Sequence, residues 1–240
     1  MPAGAGCGPN GWRRLPEVAV LRPEAEGHPL ATVLRQVGPD SCPGRYNFHC
    51  HTTCSDGSLA PAELAAQAIE LGLEHLAITD HHSIAAHDAV AAALQDASAR
   101  GVTVPTLWRG VEISGLLEGC LVHVLALGFG DQITALEPYL QGTACIGPAL
   151  RCEALLGAIQ RAGGLALLAH PARYRLPHSR LIAAAASLGF DGAEAWYDYE
   201  QGQRWAATPL LCEAIAADLS SRGLLQSCGT DTHGLALCGR

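Results

Sequence analysis

Short, continuous apolar stretches alternate along most of this chain with longer, alanine-rich stretches in which apolar residues recur at helical spacing. Continuous apolar runs are typical of buried strands, whereas the helical spacing is typical of amphipathic helices. The predicted strands cover residues 46–51, 75–79, 102–107, 111–114, 121–129, 165–169, 192–196 and 225–229. The predicted helices cover residues 29–37, 61–71, 84–100, 131–141, 147–162, 177–188 and 208–222.

Glycine and proline mark several boundaries of these elements. Pro61 stands at the first turn of one predicted helix, and Gly72 and Gly101 follow the last turns of two others. One connection is different, because strands 111–114 and 121–129 are separated by fewer residues than the dozen or so that a parallel crossover needs. We therefore expect these two strands to form an antiparallel hairpin.

The repeated order of strand and helix predicts a mostly parallel sheet, either open or closed into a barrel. Candidate metal ligands favour the barrel, because they fall within or just past the carboxyl half of the predicted strands. These residues are His49, His51, Asp80, His81, Glu112, His123, His170, Glu194, Asp231 and His233. The strand ends of a barrel meet at one mouth, whereas an open sheet would spread them along a crevice. We therefore predict an α/β fold in the form of a distorted barrel.

The basic residues of the chain are all arginines, 15 in number, because the sequence contains no lysine. This excludes Schiff-base chemistry on a lysine and a phosphate-binding loop that depends on one. The formal net charge of −8 argues against broad electrostatic capture of long nucleic acid. Bound divalent ions would offset part of that charge, so a small or short anionic substrate is compatible with this composition.

The chain has 240 residues, of which 49% are hydrophobic, and this is enough for a sizeable core. The 10 cysteines show no C-x2-C spacing, and residues 1–14 lack the apolar core of an export signal. We therefore expect free thiols in a reducing, cytoplasmic compartment. The apolar runs are shorter than the ~20 residues that cross a bilayer, so we expect no membrane segment. Residues 1–40 predict a flexible or partly helical leader, and residues 41–240 predict one domain.

The string His49-Cys50-His51 is the first chemical signal in the sequence. Alternate residues of an extended strand share a face, so the two imidazoles would point together while Cys50 points the other way. Two imidazoles on one face make half a metal site, although pairs of this kind are also common in surface loops. Likewise, a single histidine such as His123 is more often a core residue than a ligand, and only its neighbours change that interpretation.

Six short motifs, taken in order, resemble the signature of the PHP (polymerase and histidinol phosphatase) family of metal-dependent phosphoesterases. They are residues 49–57 (HCHTTCSDG), 79–81 (TDH), 110–112 (GVE), His123, 170–171 (HP) and 230–233 (TDTH). The resemblance extends from about Tyr46 to the end of the sequence. It is strongest to a small stand-alone branch of nucleoside 3',5'-bisphosphate phosphatases and 5'-to-3' exoribonucleases that act on short RNA.

The resemblance implies a distorted seven-stranded, TIM-barrel-like fold with two or three divalent ions at the carboxyl-terminal mouth. The implied ligands are His49, His51, Glu112 and Asp231 for a first ion, Asp56, His81 and His233 for a second, and Glu112, His123 and His170 for a third. Glu112 would bridge two of the ions. Mixed nitrogen and oxygen ligands suit Mn, Zn or Fe better than Ca or Mg.

The function that the resemblance implies is hydrolysis of phosphate esters in small nucleotides or short 5'-phosphorylated oligonucleotides. Adjacent divalent ions lower the pKa of a bound water, so that a metal-bound hydroxide can attack phosphorus without a protein nucleophile. A histidinol-phosphate phosphatase is the alternative among enzymes, and a non-catalytic metal-binding regulatory module is the alternative outside them. We expect neither long nucleic acid nor a membrane as a partner.

Five further residues near the motifs have candidate roles. Asp80 and His82 could orient ligands or protonate the leaving oxygen, although Asp80 could equally cap the strand end. Many members of the family carry Asp where this chain has His82. Arg173 and Arg175 could bind a phosphate with their guanidinium forks or could form a solvated loop. Glu194 is a candidate substrate contact or an outer support for the ligands.

Overall fold

One seven-stranded sheet forms the centre of the computed structural model, which describes residues 21–202 and 204–239. The strands are β1 (Tyr46–Asn47), β2 (His75–Ile78), β3 (Thr106–Leu117), β4 (Cys120–Leu127), β5 (Leu165–Leu168), β6 (Gly192–Trp196) and β7 (Leu225–Cys228). The helices are α1 (Pro23–Glu26), α2 (Pro29–Leu34), α3 (Pro61–Glu70), α4 (Ala86–Ala99), α5 (Cys152–Arg161), α6 (His178–Leu188) and α7 (Pro209–Ser221). The strands lie in the sheet in the order of the sequence.

The sheet closes on itself because the segments that follow β1 and β7 are hydrogen-bonded to each other. The N–H of Phe48 donates to the carbonyl of Cys228 (3.0 Å), and the N–H of Asp231 donates to the carbonyl of His49 (2.8 Å). The pairs β3–β4 and β4–β5 are antiparallel, and the other neighbouring pairs in the order are parallel. The distorted barrel and its hairpin are therefore confirmed.

Strand β3 is longer than the sequence pattern predicts, because the end of predicted strand 102–107, from Thr106 onward, and predicted strand 111–114 form one continuous strand. Residues 102–105 of the predicted strand lie outside β3. The first half of β3 pairs with β2, and the second half, from Gly110 onward, pairs with β4. A side chain at Gly110 would lie 2.6 Å from the carbonyl oxygen of Ile78. The glycine thus allows two neighbouring strands to pack closely.

The helix predicted over residues 131–141 is wrong, because only the single 3-10 turn Glu137–Tyr139 forms there. Pro138 lacks the N–H that a longer helix would need. The next predicted helix is shortened to a 3-10 turn, Gly147–Leu150, followed by α5. Arg151 separates the two, because its backbone is extended and forms a bridge with Leu116.

Helices α1 and α2 pack into the core of the barrel. Leu30 is 0% exposed and Leu34 is 1% exposed, and both belong to the same hydrophobic cluster as Phe48 and Leu125. Arg22 fixes the start of this segment with two hydrogen bonds, Nε to Asp191 Oδ1 (3.0 Å) and Nη2 to Asp191 Oδ2 (2.9 Å). Residues 21–34 are therefore an integral part of the packed structure.

The ion pair of Arg22 with Asp191 leads to a stability prediction. The Asp191 side chain is 0% exposed, so Arg22→Ala would leave a buried carboxylate without its cation. We expect the free energy of unfolding to fall by about 2–4 kcal/mol, measured by urea denaturation. Arg35→Ala is the control, because Arg35 pairs with Glu26 at 3.9 Å on the exposed surface and should contribute little. Equal stability of the two variants would contradict the prediction.

Each described cysteine is a free thiol, and six of the nine are buried. Cys50 is one of these, and its side chain packs in the hydrophobic cluster that contains Leu64 and Leu76. It thus faces away from the barrel axis, as the alternation along the strand predicts. In residues 21–202 and 204–239, no helix has the length and apolar character needed to cross a membrane.

Candidate metal centre

Imidazole and carboxylate side chains gather at the carboxyl ends of the strands, at one mouth of the barrel. Three residues just after strand ends have positive φ angles: His82 (51°), His170 (27°) and Asp231 (51°). Residues other than glycine rarely adopt this conformation, and those that do are frequent at functional sites. The backbone therefore turns sharply where β2, β5 and β7 deliver their polar side chains.

Glu112 lies at the centre of the cluster and uses both carboxylate oxygens. Its Oε2 lies 3.0 Å from His49 Nε2, 3.2 Å from His51 Nε2 and 3.4 Å from His81 Nε2. Its Oε1 lies 2.8 Å from His123 Nδ1 and 3.2 Å from His170 Nε2. The side chain is 1% exposed. One buried carboxylate thus joins imidazoles that come from widely separated parts of the chain.

Two other carboxylates complete the cluster on either side of His51. Asp231 Oδ1 lies 3.1 Å from His51 Nε2 and 3.3 Å from His49 Nε2. Asp56 Oδ1 lies 3.7 Å from His51 Nδ1 and 3.4 Å from His233 Nε2. Asp231 is buried, whereas the Asp56 side chain is 56% exposed. The cluster therefore opens to solvent on the side of Asp56.

The donor atoms form three groups in which every pair of atoms lies within 4.8 Å. The groups are His49, His51, Glu112 and Asp231; then His51, Asp56, His81 and His233; then His81, Glu112 and His123. The first is the expected first set, and the second is the expected second set with His51 added. In the third, His81 stands with Glu112 and His123, while His170 reaches the same carboxylate from outside the group.

The donor set fits divalent cations. Two ligands of one cation held at ~2.0–2.2 Å from it lie roughly 3–3.7 Å apart, which matches the nitrogen-to-oxygen distances of the cluster. His51 Nδ1 is buried without a hydrogen-bond partner among the described residues, and it stands 3.7 Å from Asp56 Oδ1. Buried polar atoms are normally satisfied. A shared cation would satisfy this nitrogen and the carboxylate at once.

The charges in the cluster support the same conclusion. Burial opposes protonation of His49, but Glu112, Glu194 and Asp231 raise its pKa well above the ordinary value. Burial likewise opposes protonation of His51, but hydrogen bonds with Asp231 and Glu112 raise its pKa to about 9. Without a cation, these two imidazoles therefore carry protons that offset the carboxylates. A divalent cation would take the place of those protons.

The other titratable groups shift in directions that follow from their surroundings. Burial opposes ionisation of Glu112 and Asp231, but the neighbouring imidazoles, His49 first, lower the pKa of both carboxyls well below the usual range. His81 is different, because its burial is the largest influence and lowers its pKa to about 4. His81 is thus a neutral imidazole with a lone pair available for coordination.

Asp80 and His82 face the supporting structure of the mouth. Asp80 accepts hydrogen bonds from the N–H of Thr52 (2.7 Å), from the Thr52 hydroxyl (2.6 Å) and from the Ser55 hydroxyl (2.6 Å). His82 Nδ1 lies 3.2 Å from the carbonyl of Tyr139, and its Nε2 accepts from the N–H of Ser114 (3.3 Å). Asp80 thus holds the loop that carries Asp56, and His82 ties the segment around Tyr139 to β3.

The three candidate substrate contacts lie in different places. Arg173 Nη1 donates to Asp231 Oδ2 (2.9 Å), and 39% of the Arg173 side chain is exposed at the mouth. Arg175 instead donates to the carbonyl of Gly119, at the turn of the β3–β4 hairpin. Glu194 is completely buried behind His49, with both carboxylate oxygens 3.2 Å from His49 Nδ1. The structure therefore brings Arg173 and Glu194 to the cluster, but not Arg175.

Sequence reasoning missed two groups that the structure places around the ligands. Tyr197 donates its hydroxyl to Asp231 Oδ2 at 2.6 Å, and it lies outside the six motifs. Thr52 and Ser55 bind Asp80, and their position inside the first motif, residues 49–57, is the signal that could have indicated them. No comparable signal precedes Tyr197, because its orientation depends on an irregularity in β6.

A sequence model of the PHP domain family matches residues 47–135, which contain the first four of the six motifs. Part of this chain thus matches the PHP domain family. The candidate ligands His170, Asp231 and His233 lie beyond the matched residues, and the fold brings them to the same mouth as the motifs of the matched part.

The chain is similar to three curated bacterial proteins. It is 29% identical over 185 residues to a protein from Haemophilus influenzae named 5'-3' exoribonuclease, an alignment that covers 72% of this chain and 65% of that protein. It is 38% identical over 95 residues to the Salmonella typhimurium 5'-3' exoribonuclease Rnm, covering 40% and 31% of the two chains. It is 42% identical over 82 residues to the Escherichia coli 5'-3' exoribonuclease Rnm, an alignment that covers 34% of this chain and 27% of that protein. The chain thus spans less than two thirds of each relative.

Two solved structures share the architecture of this chain. A protein from Bifidobacterium adolescentis, provisionally named a metal-dependent phosphoesterase, superposes with a TM-score of 0.64 at 21% identity, over 81% of this chain and 90% of that chain. An amidohydrolase from Chromobacterium violaceum, with bound sulfate and no metal, superposes with a TM-score of 0.65 at 23% identity. The superposition covers 79% of this chain and 88% of that chain. At these identities the likeness concerns the fold alone.

Proposed function

We propose that this chain is a metal-dependent phosphoesterase that hydrolyses phosphate esters of small nucleotides or short 5'-phosphorylated oligonucleotides. The observation that carries the proposal is the single buried carboxylate, Glu112, with both oxygens within 3.4 Å of imidazole nitrogens from five histidines. A structural role does not require such a concentration of ligand atoms at an open barrel mouth. Adjacent divalent cations do require it.

Nine residues would hold the cations. They are His49, His51, Asp56, His81, Glu112, His123, His170, Asp231 and His233. Imidazole and carboxylate ligands in this proportion favour two or three ions of Mn, Zn or Fe. When bound, these ions supply Lewis acidity toward phosphoryl oxygens and lower the pKa of a coordinated water.

The residues of the chain itself would bind and orient the substrate at the mouth. Arg173 is the favoured phosphate contact, because its guanidinium is partly exposed and stands 2.9 Å from the ligand Asp231. Asp80 contributes by fixing the loop of Asp56, and His82 contributes by fixing the segment beside β3. Arg175 would contact a substrate only if that substrate extended as far as the hairpin turn at Gly119.

The substrate class rests on two further observations. The three bacterial relatives described above carry the name 5'-3' exoribonuclease. The formal charge of −8 disfavours long nucleic acid and leaves short anionic substrates, whose phosphates would meet the cations directly. The complete set of ligands argues against a non-catalytic metal-binding module.

A side-by-side assay tests this function. We expect protein loaded with Mn²⁺ to release phosphate or mononucleotide from a nucleoside 3',5'-bisphosphate or from short 5'-phosphorylated RNA. Histidinol phosphate should be turned over at least ~10-fold more slowly, which corresponds to about 1.4 kcal/mol of discrimination. Turnover of histidinol phosphate alone would establish the alternative enzyme, and bound ions without hydrolysis of any ester would establish a non-catalytic module.

A further inference from the structure

Strand β6 contains an irregularity beside the metal centre. Glu194 pairs with Ser227 of β7, and Trp196 pairs with Cys228. Between these two pairs β6 advances by two residues, whereas β7 advances by only one. The extra residue is a β-bulge, which shifts the alternation of side chains between the two faces of a strand. In a regular strand Glu194 and Tyr197 would face opposite sides. The bulge allows both to reach the ligands, while Trp196 Nε1 donates to Gln226 Oε1 (3.2 Å).

Glu194 contacts two histidines of the candidate centre. Both of its oxygens lie 3.2 Å from His49 Nδ1, and its Oε2 also accepts from the backbone N–H of His170 (2.9 Å). A carboxylate at Nδ1 keeps the proton on that nitrogen, so the Nε2 lone pair of His49 is directed at the cluster. There Nε2 lies 3.0 Å from Glu112 and 3.3 Å from Asp231.

Tyr197 acts on the opposite ligand of the same group. Its hydroxyl donates to Asp231 Oδ2 (2.6 Å) and accepts from Arg173 Nη1 (2.8 Å), which also donates to that Oδ2 (2.9 Å). The other oxygen, Oδ1, faces His49 and His51. Two donors on Oδ2 therefore prevent the carboxylate from rotating and leave Oδ1 as its single ligand atom.

We propose that the bulge in β6 makes Glu194 and Tyr197 a pair of positioning residues, which fix His49 and Asp231 as ligands of one cation. This inference rests on the metal centre of the proposed function. Neither residue touches a substrate, since Glu194 and Tyr197 are both 0% exposed. Glu194 therefore holds a ligand in place and does not line the substrate path.

Two conservative variants test the pair. Tyr197→Phe removes only the hydroxyl, and Glu194→Gln leaves one acceptor oxygen for two donors, His49 Nδ1 and His170 N. We expect each variant to bind Mn²⁺ about 10- to 100-fold more weakly in calorimetric titration with MnCl₂ alone. The visible spectrum of the Co²⁺-loaded protein should also change in each variant. Tyr197→Phe relaxes the geometry of Asp231, and Glu194→Gln relaxes that of His49.

Matched controls separate positioning from a general effect on the fold. Tyr199→Phe removes a hydroxyl from a neighbouring tyrosine, whose ring centroid lies 4.9 Å from the ring centroid of Tyr197. Glu213→Gln neutralises an exposed carboxylate on α7. Both controls should bind Mn²⁺ as the wild type does. The urea midpoint of each metal-free variant shows whether the fold itself has changed, and we expect Tyr197→Phe and Tyr199→Phe to have similar midpoints.

The outcomes for this inference and for the proposed function are distinct. Wild-type affinity for Mn²⁺ and an unchanged Co²⁺ spectrum in Tyr197→Phe and Glu194→Gln would overturn the positioning role. A lower urea midpoint with an unchanged Co²⁺ spectrum would also overturn it. Weaker binding in both variants, in a protein that binds Mn²⁺ but hydrolyses no phosphate ester, would support the positioning role and refute the proposed function. A wild type that binds no Mn²⁺ would refute both.

Discussion

Glu112→Gln is expected to abolish hydrolysis of phosphate esters and to reduce the number of cations bound per chain. The amide has one acceptor oxygen where the carboxylate has two, and both oxygens of Glu112 lie at imidazole nitrogens, Oε2 at His49 and Oε1 at His123. The amide NH₂ group is a donor without a lone pair for coordination, so it could not bind a cation. We expect turnover to fall more than ~100-fold, since loss of an outer support alone costs 10- to 100-fold.

Glu118→Gln is the matched control for this variant. Glu118 stands at the turn of the same hairpin and forms an exposed ion pair with Arg180 at 2.8 Å. Turnover and metal content measured together, by phosphate release and by elemental analysis of the same sample, should be normal in this control. An active Glu112→Gln protein with a full complement of ions would show that Glu112 does not bridge the cations.

Gly229→Ala is expected to affect the fold and the site at once. A Cβ atom at Gly229 would lie 2.2 Å from His49 Cβ and 2.7 Å from His49 N, where β7 meets β1 and the barrel closes. The backbone must shift to relieve this contact. The shift would separate Asp231 from His49, whose carbonyl now accepts a hydrogen bond from the N–H of Asp231 at 2.8 Å. We expect the free energy of unfolding to fall by about 3 kcal/mol, with loss of the first cation.

Gly38→Ala provides the comparison for the glycine variant. A Cβ atom at Gly38 would have no heavy atom within 4 Å, so the same chemical change should leave the urea midpoint and the metal content nearly unchanged. Equal urea midpoints for Gly229→Ala and Gly38→Ala would mean that the barrel closes with more freedom than the distances between β1 and β7 indicate.

The positions of the candidate metal ligands could be predicted from the sequence because they depend on two local rules. Alternation along a strand places His49 and His51 on one face and Cys50 on the other, and the structure shows this arrangement. The convergence of strand ends at a barrel mouth then brings Glu112 and Asp231 to the same place. Neither rule needs knowledge of the detailed packing.

The errors of prediction occur where those local rules do not decide the structure. Residues 131–141 have helical spacing but form one 3-10 turn around Pro138. Predicted strands 102–107 and 111–114 are joined within β3, where Gly110 allows a close backbone contact with Ile78. Tyr197 reaches Asp231 through a bulge, which is set by pairing with β7. These last two outcomes depend on residues distant in sequence, which a local pattern does not contain, whereas Pro138 lies within the predicted helix itself.

The basic loop after His170 shows the same limit at the level of single side chains. Arg173 and Arg175 share a loop and a chemical type, yet Arg173 points to Asp231 while Arg175 points to Gly119. Residues two apart in an irregular segment have no fixed relative orientation, because the segment follows neither a helical nor a strand period. The sequence could therefore indicate the loop but not which arginine approaches the cluster.

A count of bound cations tests the central claim most directly. The wild-type chain, freed of metal and then equilibrated with Mn²⁺, should hold two or three ions per chain by native mass spectrometry, and the same sample should release phosphate from a nucleoside 3',5'-bisphosphate. His51→Ala should remain folded and lose ions, because His51 belongs to two of the three ligand groups. Fewer than two ions per wild-type chain, with no phosphate released, would contradict the metal centre and the function proposed for it.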